Sequence, residues 1–379
     1  MKKKKKQQPL KKWAGRLHLW LGLSSGIVVF IVAITGCIFA FQDEIQDFTR
    51  DWRKFPAQEQ NFVAPSLLLG KVDSILPNST ASFVTYNGKE RPAHVYTFMD
   101  ETPYYIYFNS YSGELLNVQN LNEDFFIIIE NLHMYLLLPE AIGKQIVGIS
   151  TIIFVIMLIT GIILWWPKKK KQLATHLKVR WKARWRRVNY DLHRTAGIYC
   201  ALIALLLAIT GLGIAYEWMH ASFYTVGNLG QNYPEDHKVP TLTEVPKVVS
   251  PIAFDRAFYT TVEKLPQSGM YFVLDQGAEK PILTGAYPKA LTFDHQSNFY
   301  FHPKTGQLLA SHLYAEKSPG LQFQEMNYGL HTGQYFGIFG KIVAFLASLF
   351  VASLPVSGFM IWWGKRNKKR NSPKKASSL

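Results

Sequence analysis

The sequence predicts an α-helical membrane protein with four transmembrane helices and two extracytoplasmic α+β domains, built as an internal parallel duplication. Three observations carry this: four long apolar runs, basic clusters confined to one set of flanks, and a half-chain written twice. The 379 residues carry a formal charge of +16, and 48% of them are hydrophobic. A soluble chain so basic would point to nucleic acid. Here the placement of the charge excludes that partner.

The apolar runs are Leu17–Phe41, Ile142–Trp166, Ile198–Trp218 and Ile338–Trp363. Each is long enough to cross ~30 Å of hydrocarbon at ~1.5 Å per residue. Their central parts hold no Asp, Glu, Lys or Arg; Lys144 and Lys341 stand near two of the starts. "MKKKKKQQPLKK" precedes the first run, Pro167 to Arg187 joins the second to the third, and "GKRNKKRNSPKK" follows the fourth. The positive-inside rule puts these segments in the cytoplasm. Both termini then face inward in a multi-pass membrane protein, and the basic charge reads as contact with anionic lipid. The order is a basic N-terminus (1–16), a first span (17–41) and a first outer domain (42–130). A membrane-edge segment with the second span (131–166), a basic loop (167–190) and the third span (191–218) follow. The second outer domain (219–326), an edge segment with the fourth span (327–363) and a basic tail (364–379) complete it.

Cys37 and Cys200 both fall in apolar runs, so the outer domains have no disulfide framework, and no C-x-x-C-H marks covalent haem. "ITGC" (Ile34 to Cys37) resembles a lipoprotein cleavage site. The duplication argues for helix interior instead. Without a gap, "LHLWLGLSSGIVVFIVAITGCIFAF" from Leu17 lies on "LHRTAGIYCALIALLLAITGLGIAY" from Leu192. His18 falls on His193, Gly22 on Gly197, and Thr35-Gly36 on Thr210-Gly211. In the other two spans Leu132-His133 answers Leu330-His331, Gly143-Lys144 answers Gly340-Lys341, and Thr160-Gly161 answers Ser357-Gly358. Outside the spans, "IYFNSYSGELL" from Ile106 pairs with "FYFHPKTGQLL" from Phe299, as alternating strands running into a Gly turn.

Of eleven histidines, His94, His176, His237, His295, His302 and His312 have surface or local hydrogen-bonding roles to explain them, and His220 has no counterpart in the first half. His18, His193, His133 and His331 recur at equivalent positions. Ionisable groups at membrane depth are expensive and mark function; the plainer explanation is interfacial packing kept from a duplicated ancestor. Neutral imidazole is a common metal ligand, and haem b needs no covalent motif. Equivalent residues lie at like depth, so His18 pairs with His193 near the cytoplasmic face and His133 with His331 near the outer face. The two pairs stand roughly 25–30 Å apart by helix rise, too far for one site using all four. Gly22 and Gly26 share a face with His18, as Gly197 and Ala201 do with His193. Such a strip leaves room for a flat macrocycle, or for close helix packing. Arg16 and Arg194 flank the inner pair, where they suit haem propionates and where topology alone would also place them. The stretch "YYIYFNSY" (Tyr104 to Tyr111) fits strand-face packing better than contact with an acceptor. No H-E-x-x-H, P-loop or dinucleotide fingerprint is present.

"LHLWLGLSSGIVVFIVAITG", the paired "LH" before later spans and "FYFHPKTGQLL" resemble the PepSY-associated transmembrane family of bacterial inner-membrane proteins, over about Trp13 to Trp363. That resemblance implies PepSY-like outer domains and two b haems between four helices, with His18, His193, His133 and His331 as axial ligands. It also implies an oxidoreductase that takes electrons from a cytoplasmic reductase or a quinol and reduces a periplasmic ferric siderophore. The first outer domain departs from the pattern, with Asn109-Ser110-Tyr111-Ser112 where the second has His302-Pro303-Lys304-Thr305. A rival expectation is a non-catalytic PepSY module that binds peptides or restrains a periplasmic protease; it gives no reason for four repeated histidines. A transporter would call for buried charges or broken helices at mid-membrane, and Pro355 is the one hint of that kind.

Overall fold

A computed structural model describes residues 9–370 apart from 243; of the predicted basic segments 1–16 and 364–379, residues 1–8 and 371–379 lie outside the described residues, and the rest is α-helical. The first half runs α1 (Pro9–Ala40), α2 (Gln42–Thr49), α3 (Pro65–Ile75), β1 (Thr80–Tyr86), β2 (Ala93–Met99), β3 (Thr102–Phe108), β4 (Leu115–Asn120), α4 (Phe125–Tyr135) and α5 (Glu140–Trp165). The second runs α6 (Leu173–His176), α7 (Trp185–Ala215), α8 (Glu217–Gly227), α9 (Pro251–Lys264), β5 (Met270–Leu274), β6 (Ile282–Tyr287), β7 (Ser297–Phe301), β8 (Leu308–His312), α10 (Pro319–Thr332) and α11 (Gly337–Arg370). These elements form two compact units. The membrane unit holds 9–40, 129–215 and 338–370; the α+β unit holds Phe41–Ile128 and Tyr216–Gly337.

In the membrane unit, α1, α5, α7 and α11 are long and apolar enough to span a bilayer. Even α5, the shortest at 26 residues, reaches about 39 Å. Lipid tails give no hydrophobic drive for one helix to meet another, so close packing of small residues must supply the attraction. The buried core accordingly joins Ala33 of α1, Leu158 of α5, Cys200, Ala201 and Ala204 of α7, and Val351 and Ala352 of α11. Gly26 admits the ring of Pro355, whose Cβ would stand 3.3 Å from an added methyl. Cys37 lies inside α1, its thiol donating to the Phe345 carbonyl at 3.5 Å. Spans start earlier than the apolar runs suggest: α7 begins at Trp185, within the stretch expected to be loop. Asp191 explains this, since its buried carboxylate takes ion pairs from Arg187 at 2.9 Å and Arg194 at 3.2 Å and so lets a polar first turn continue the helix.

In the α+β unit the two halves build one sheet, not two separate domains. The order is β4-β3-β2-β1-β5-β6-β7-β8, antiparallel throughout. The join is β1 on β5, with Val84 opposite Val273 and Tyr86 opposite Tyr271. An unpaired edge strand invites aggregation, and joining the halves hides two of the four edges. Helices α3 and α9 supply Leu68, Val72, Phe254 and Phe258 to the core against Val84, Tyr86 and Ile106. They are tied to each other where Asp255 accepts from Ser66 N at 2.8 Å and Ser66 Oγ at 2.6 Å.

The predicted edge segments are helical. Residues 131–135 finish α4, and 327–332 finish α10, which Ser318 caps and Gly333 ends in left-handed backbone at φ 81°. Helix α10 packs on α8 through facing glycines: a Cβ on Gly227 would come within 2.7 Å of Gly320 Cα, and one on Gly320 would strike the Tyr224 carbonyl. Gly320→Ala is therefore expected to destabilise the α+β unit by about 1–3 kcal/mol. Thermal unfolding of the detergent-solubilised full chain checks this, and an unchanged midpoint would refute the contact.

Candidate functional site

Helix α1 brings His18 against α5, where Nδ1 bonds Thr160 Oγ1 at 3.0 Å and the Met157 carbonyl at 3.2 Å. Helix α7 brings His193 against α11, where Nδ1 bonds Ser357 Oγ at 2.9 Å. The duplicated helices thus repeat one contact, imidazole to a hydroxyl of the next span. In both cases a glycine follows the hydroxyl residue. A Cβ on Gly161 would lie 3.4 Å from His18 Cε1, and one on Gly358 would lie 3.3 Å from His193 Cε1. The ring edges rest on bare backbone.

Held this way, the two rings meet. The centroids of His18 and His193 are 6.3 Å apart and their planes are at 89°. Two imidazoles on opposite sides of one iron, each nitrogen at about 2.0 Å, bring their ring centroids to roughly 6 Å. The separation fits a bis-imidazole site. Among the described residues no three His, Cys, Asp or Glu side chains form a metal group; this arrangement is a pair.

The strip beside His18 and His193 lies against side chains: a Cβ on Gly22 would meet Met157 Cε at 2.9 Å, and one on Gly197 would meet Leu354 Cδ2 at 3.9 Å. Both neighbours are flexible ends of apolar chains. Arg16 is exposed on α1. Arg194 is bound to Asp191 and donates to the Thr175 carbonyl at 3.1 Å, so in this structure it fastens the basic loop.

His133, on the last turn of α4, repeats the contact a third time, with Nδ1 3.0 Å from Thr35 Oγ1. Gly36 supplies the bare backbone, its added Cβ lying 3.3 Å from the ring. Gly143 lets α5 start beneath that turn, since a Cβ there would strike the Tyr135 carbonyl. His331 is half-buried on the last turn of α10, in the α+β unit.

The remaining histidines have local work. His302 and Asn109, the point where the outer halves differ, do the same job: His302 Nδ1 accepts from Lys304 N at 3.2 Å, and Asn109 Oδ1 accepts from Tyr111 N at 2.9 Å. Both turns close on a left-handed glycine, Gly306 at φ 67° and Gly113 at φ 66°. His94 bonds Asn87 at 2.9 Å; burial first, then the Arg53 charge, push it down to about 4, so it is neutral at physiological pH. His295 bonds Asp294 at 2.8 Å, and His220 bonds Gln324 at 3.3 Å. The Tyr-rich strand packs on itself and its neighbours, with Tyr107 on Trp52 at 4.5 Å and Tyr105 on His94 at 4.6 Å. The hydroxyls Thr35, Thr160 and Ser357 are the site residues that sequence reading passed over. Their signal was present, as the Thr-Gly or Ser-Gly step that recurs in all four spans.

Fold and site together define a polytopic membrane protein whose apolar helices carry paired, hydroxyl-bound histidines and are joined to an antiparallel α+β unit. The family model described as the PepSY-associated TM region matches residues 15–365, and the chain belongs to that family. No curated protein matches it.

Proposed function

We propose that the chain is a di-haem b electron-transfer protein of the inner membrane, with both termini cytoplasmic, that reduces a periplasmic ferric siderophore. Electrons come from a cytoplasmic reductase or a quinol. The observation that carries this reading is the His18–His193 pair, two perpendicular rings 6.3 Å apart on different helices. Internal duplication supports a second, like site using His133 and His331. The sheet order, mirrored about the β1–β5 join, agrees with that duplication.

Haem b bound between two imidazoles supplies one-electron redox chemistry. The chain supplies the rest. His18 and His193 would hold the inner group from two helices, each ring fixed through its Nδ1 by a third or fourth. Arg16, exposed beside His18, offers a guanidinium to a propionate. The small-residue core of the bundle keeps water and ions out of the path between the faces. The α+β unit presents the acceptor. One electron lost by the donor converts one Fe(III) to Fe(II), a poorer match for hard oxygen ligands, and the metal is released.

The test is a dithionite-reduced minus oxidised visible spectrum of the purified protein, with haem per chain by pyridine haemochrome. Sharp b-type bands at about two haems per chain are expected. One haem would remove the outer site. None, from cells supplied with haem, would overturn the reading and favour a peptide-binding PepSY module.

A further inference from the structure

The three Thr-Gly and Ser-Gly steps do more than accommodate histidine. A serine or threonine hydroxyl has one proton to give. Thr160 Oγ1 donates to the Ile156 carbonyl at 2.9 Å, Ser357 Oγ to the Ser353 carbonyl at 2.9 Å, and Thr35 Oγ1 to the Ile31 carbonyl at 2.8 Å. Each is the back-bond to residue i−4 that helical Ser and Thr make. With its proton committed to its own helix, each hydroxyl can only accept from the imidazole. The backbone agrees. The Met157 carbonyl, which can only accept, is 3.2 Å from His18 Nδ1. That carbonyl belongs to the residue three before the hydroxyl, Thr160.

We propose that Thr35, Thr160 and Ser357 are positioning residues, each fixing its histidine as the Nδ1-protonated tautomer and leaving the Nε2 lone pair for a haem iron. The following glycines, Gly36, Gly161 and Gly358, set the ring's depth by letting Cε1 rest on backbone. At His18 the hydroxyl and carbonyl together form a two-acceptor seat for one N–H. Such outer-shell partners fix the orientation of a ligating imidazole and raise its basicity, and losing one costs about 10–100-fold in metal affinity. The assignment also gives a reason for the recurrence of the dipeptide: Thr210-Gly211 is its fourth copy, with Thr210 Oγ1 donating to the Leu206 carbonyl at 2.7 Å.

The proposal rests on the haem reading for its purpose, but its chemistry is tested without haem. Full-length apoprotein labelled with 15N-histidine in nanodiscs reports each ring's tautomer, with resonances assigned from single His→Gln variants. Pyridine-type nitrogen at Nε2 of His18, His133 and His193 is expected; N–H at Nε2 would overturn the proposal. In holoprotein, Thr160→Val and Ser357→Ala are each expected to weaken haem retention about 10–100-fold, and Thr160→Ser to restore it. Equal retention in both variants and wild type would overturn the positioning role. If wild-type protein takes no haem yet shows the expected tautomers, the seat stands and the haem reading alone falls.

Discussion

Replacing His18 or His193 by alanine should lower haem content from about two per chain to about one, and replacing both should lower it no further. On the proposed reading, either change removes one of the two imidazoles that would hold the inner haem, from rings whose centroids lie 6.3 Å apart. Residues acting as one unit give non-additive losses. The outer histidine is insulated from these changes because Thr35 and Gly36 of α1 seat His133 with their own atoms. Pyridine haemochrome on each variant reads the stoichiometry. Full haem content in both single variants would remove the pair from the site. A misfolded variant would also lose haem, so His193→Met supplies a second reading. A thioether can still ligate, and His/Met ligation raises the potential relative to bis-His. One haem should then titrate at a more positive potential, with content near that of wild type. A structural role for His193 would leave no such signature.

The four spans were legible because a run of twenty apolar residues has few other uses in water. The four histidines were legible because the chain is duplicated: a lone imidazole at a helix end means little, and the same one twice means more. The hydroxyls beside them were visible but carried no message. Serine and threonine in a membrane helix are already explained by bonding back to their own carbonyls, as Thr160 and Ser357 do. Only the neighbouring helix shows what else their oxygens accept. The sheet was misjudged for a different reason. Partial alternation in "TASFVTY" and the short apolar run "MYFVL" mark β1 and β5 as strands, but neither pattern says which edge meets which. Their partners lie far apart in sequence, and a duplicated chain suggests two sheets as readily as one. The mismatch between Asn109 and His302 had the same root. Residue type differed while the demand, an acceptor for a backbone N–H two residues on, was the same.

Replacing Asp47 with asparagine should have the largest effect on stability. Its carboxylate, 9% exposed, takes two bonds from Arg91, Nη1 at 2.9 Å and Nη2 at 2.7 Å, one from Arg53 Nε at 2.9 Å, and an ion pair from Lys54 at 3.1 Å. The neighbouring Arg50 reaches Asp124 at 2.6 Å, and Asp124 caps the helix whose last turn carries His133, accepting from Phe126 N at 3.0 Å. Removing one partner of a buried pair leaves the other charge desolvated, at a cost of about 3–5 kcal/mol. For a unit of this size that is roughly 10 °C in the unfolding midpoint. Burial pushes the Asp47 carboxyl up, but the bonds from Arg91, Arg53 and Lys54 and the Arg91 charge outweigh it and hold it well below the usual carboxylate range. The sign follows from linkage. Stability from the ionised form is complete above the unfolded value of about 3.9 and is lost as pH falls toward the lower folded value. The gap between wild type and Asp47→Asn should therefore be constant from neutral pH to about 5 and narrow below about 4. The exposed Lys304–Glu244 pair at 3.0 Å is the control, and Glu244→Gln should leave the midpoint where it is. Melting the full chain in detergent across that pH range decides the matter: a gap that widens in acid would mean that Asp47 is buried neutral and that the arginines are held by something else.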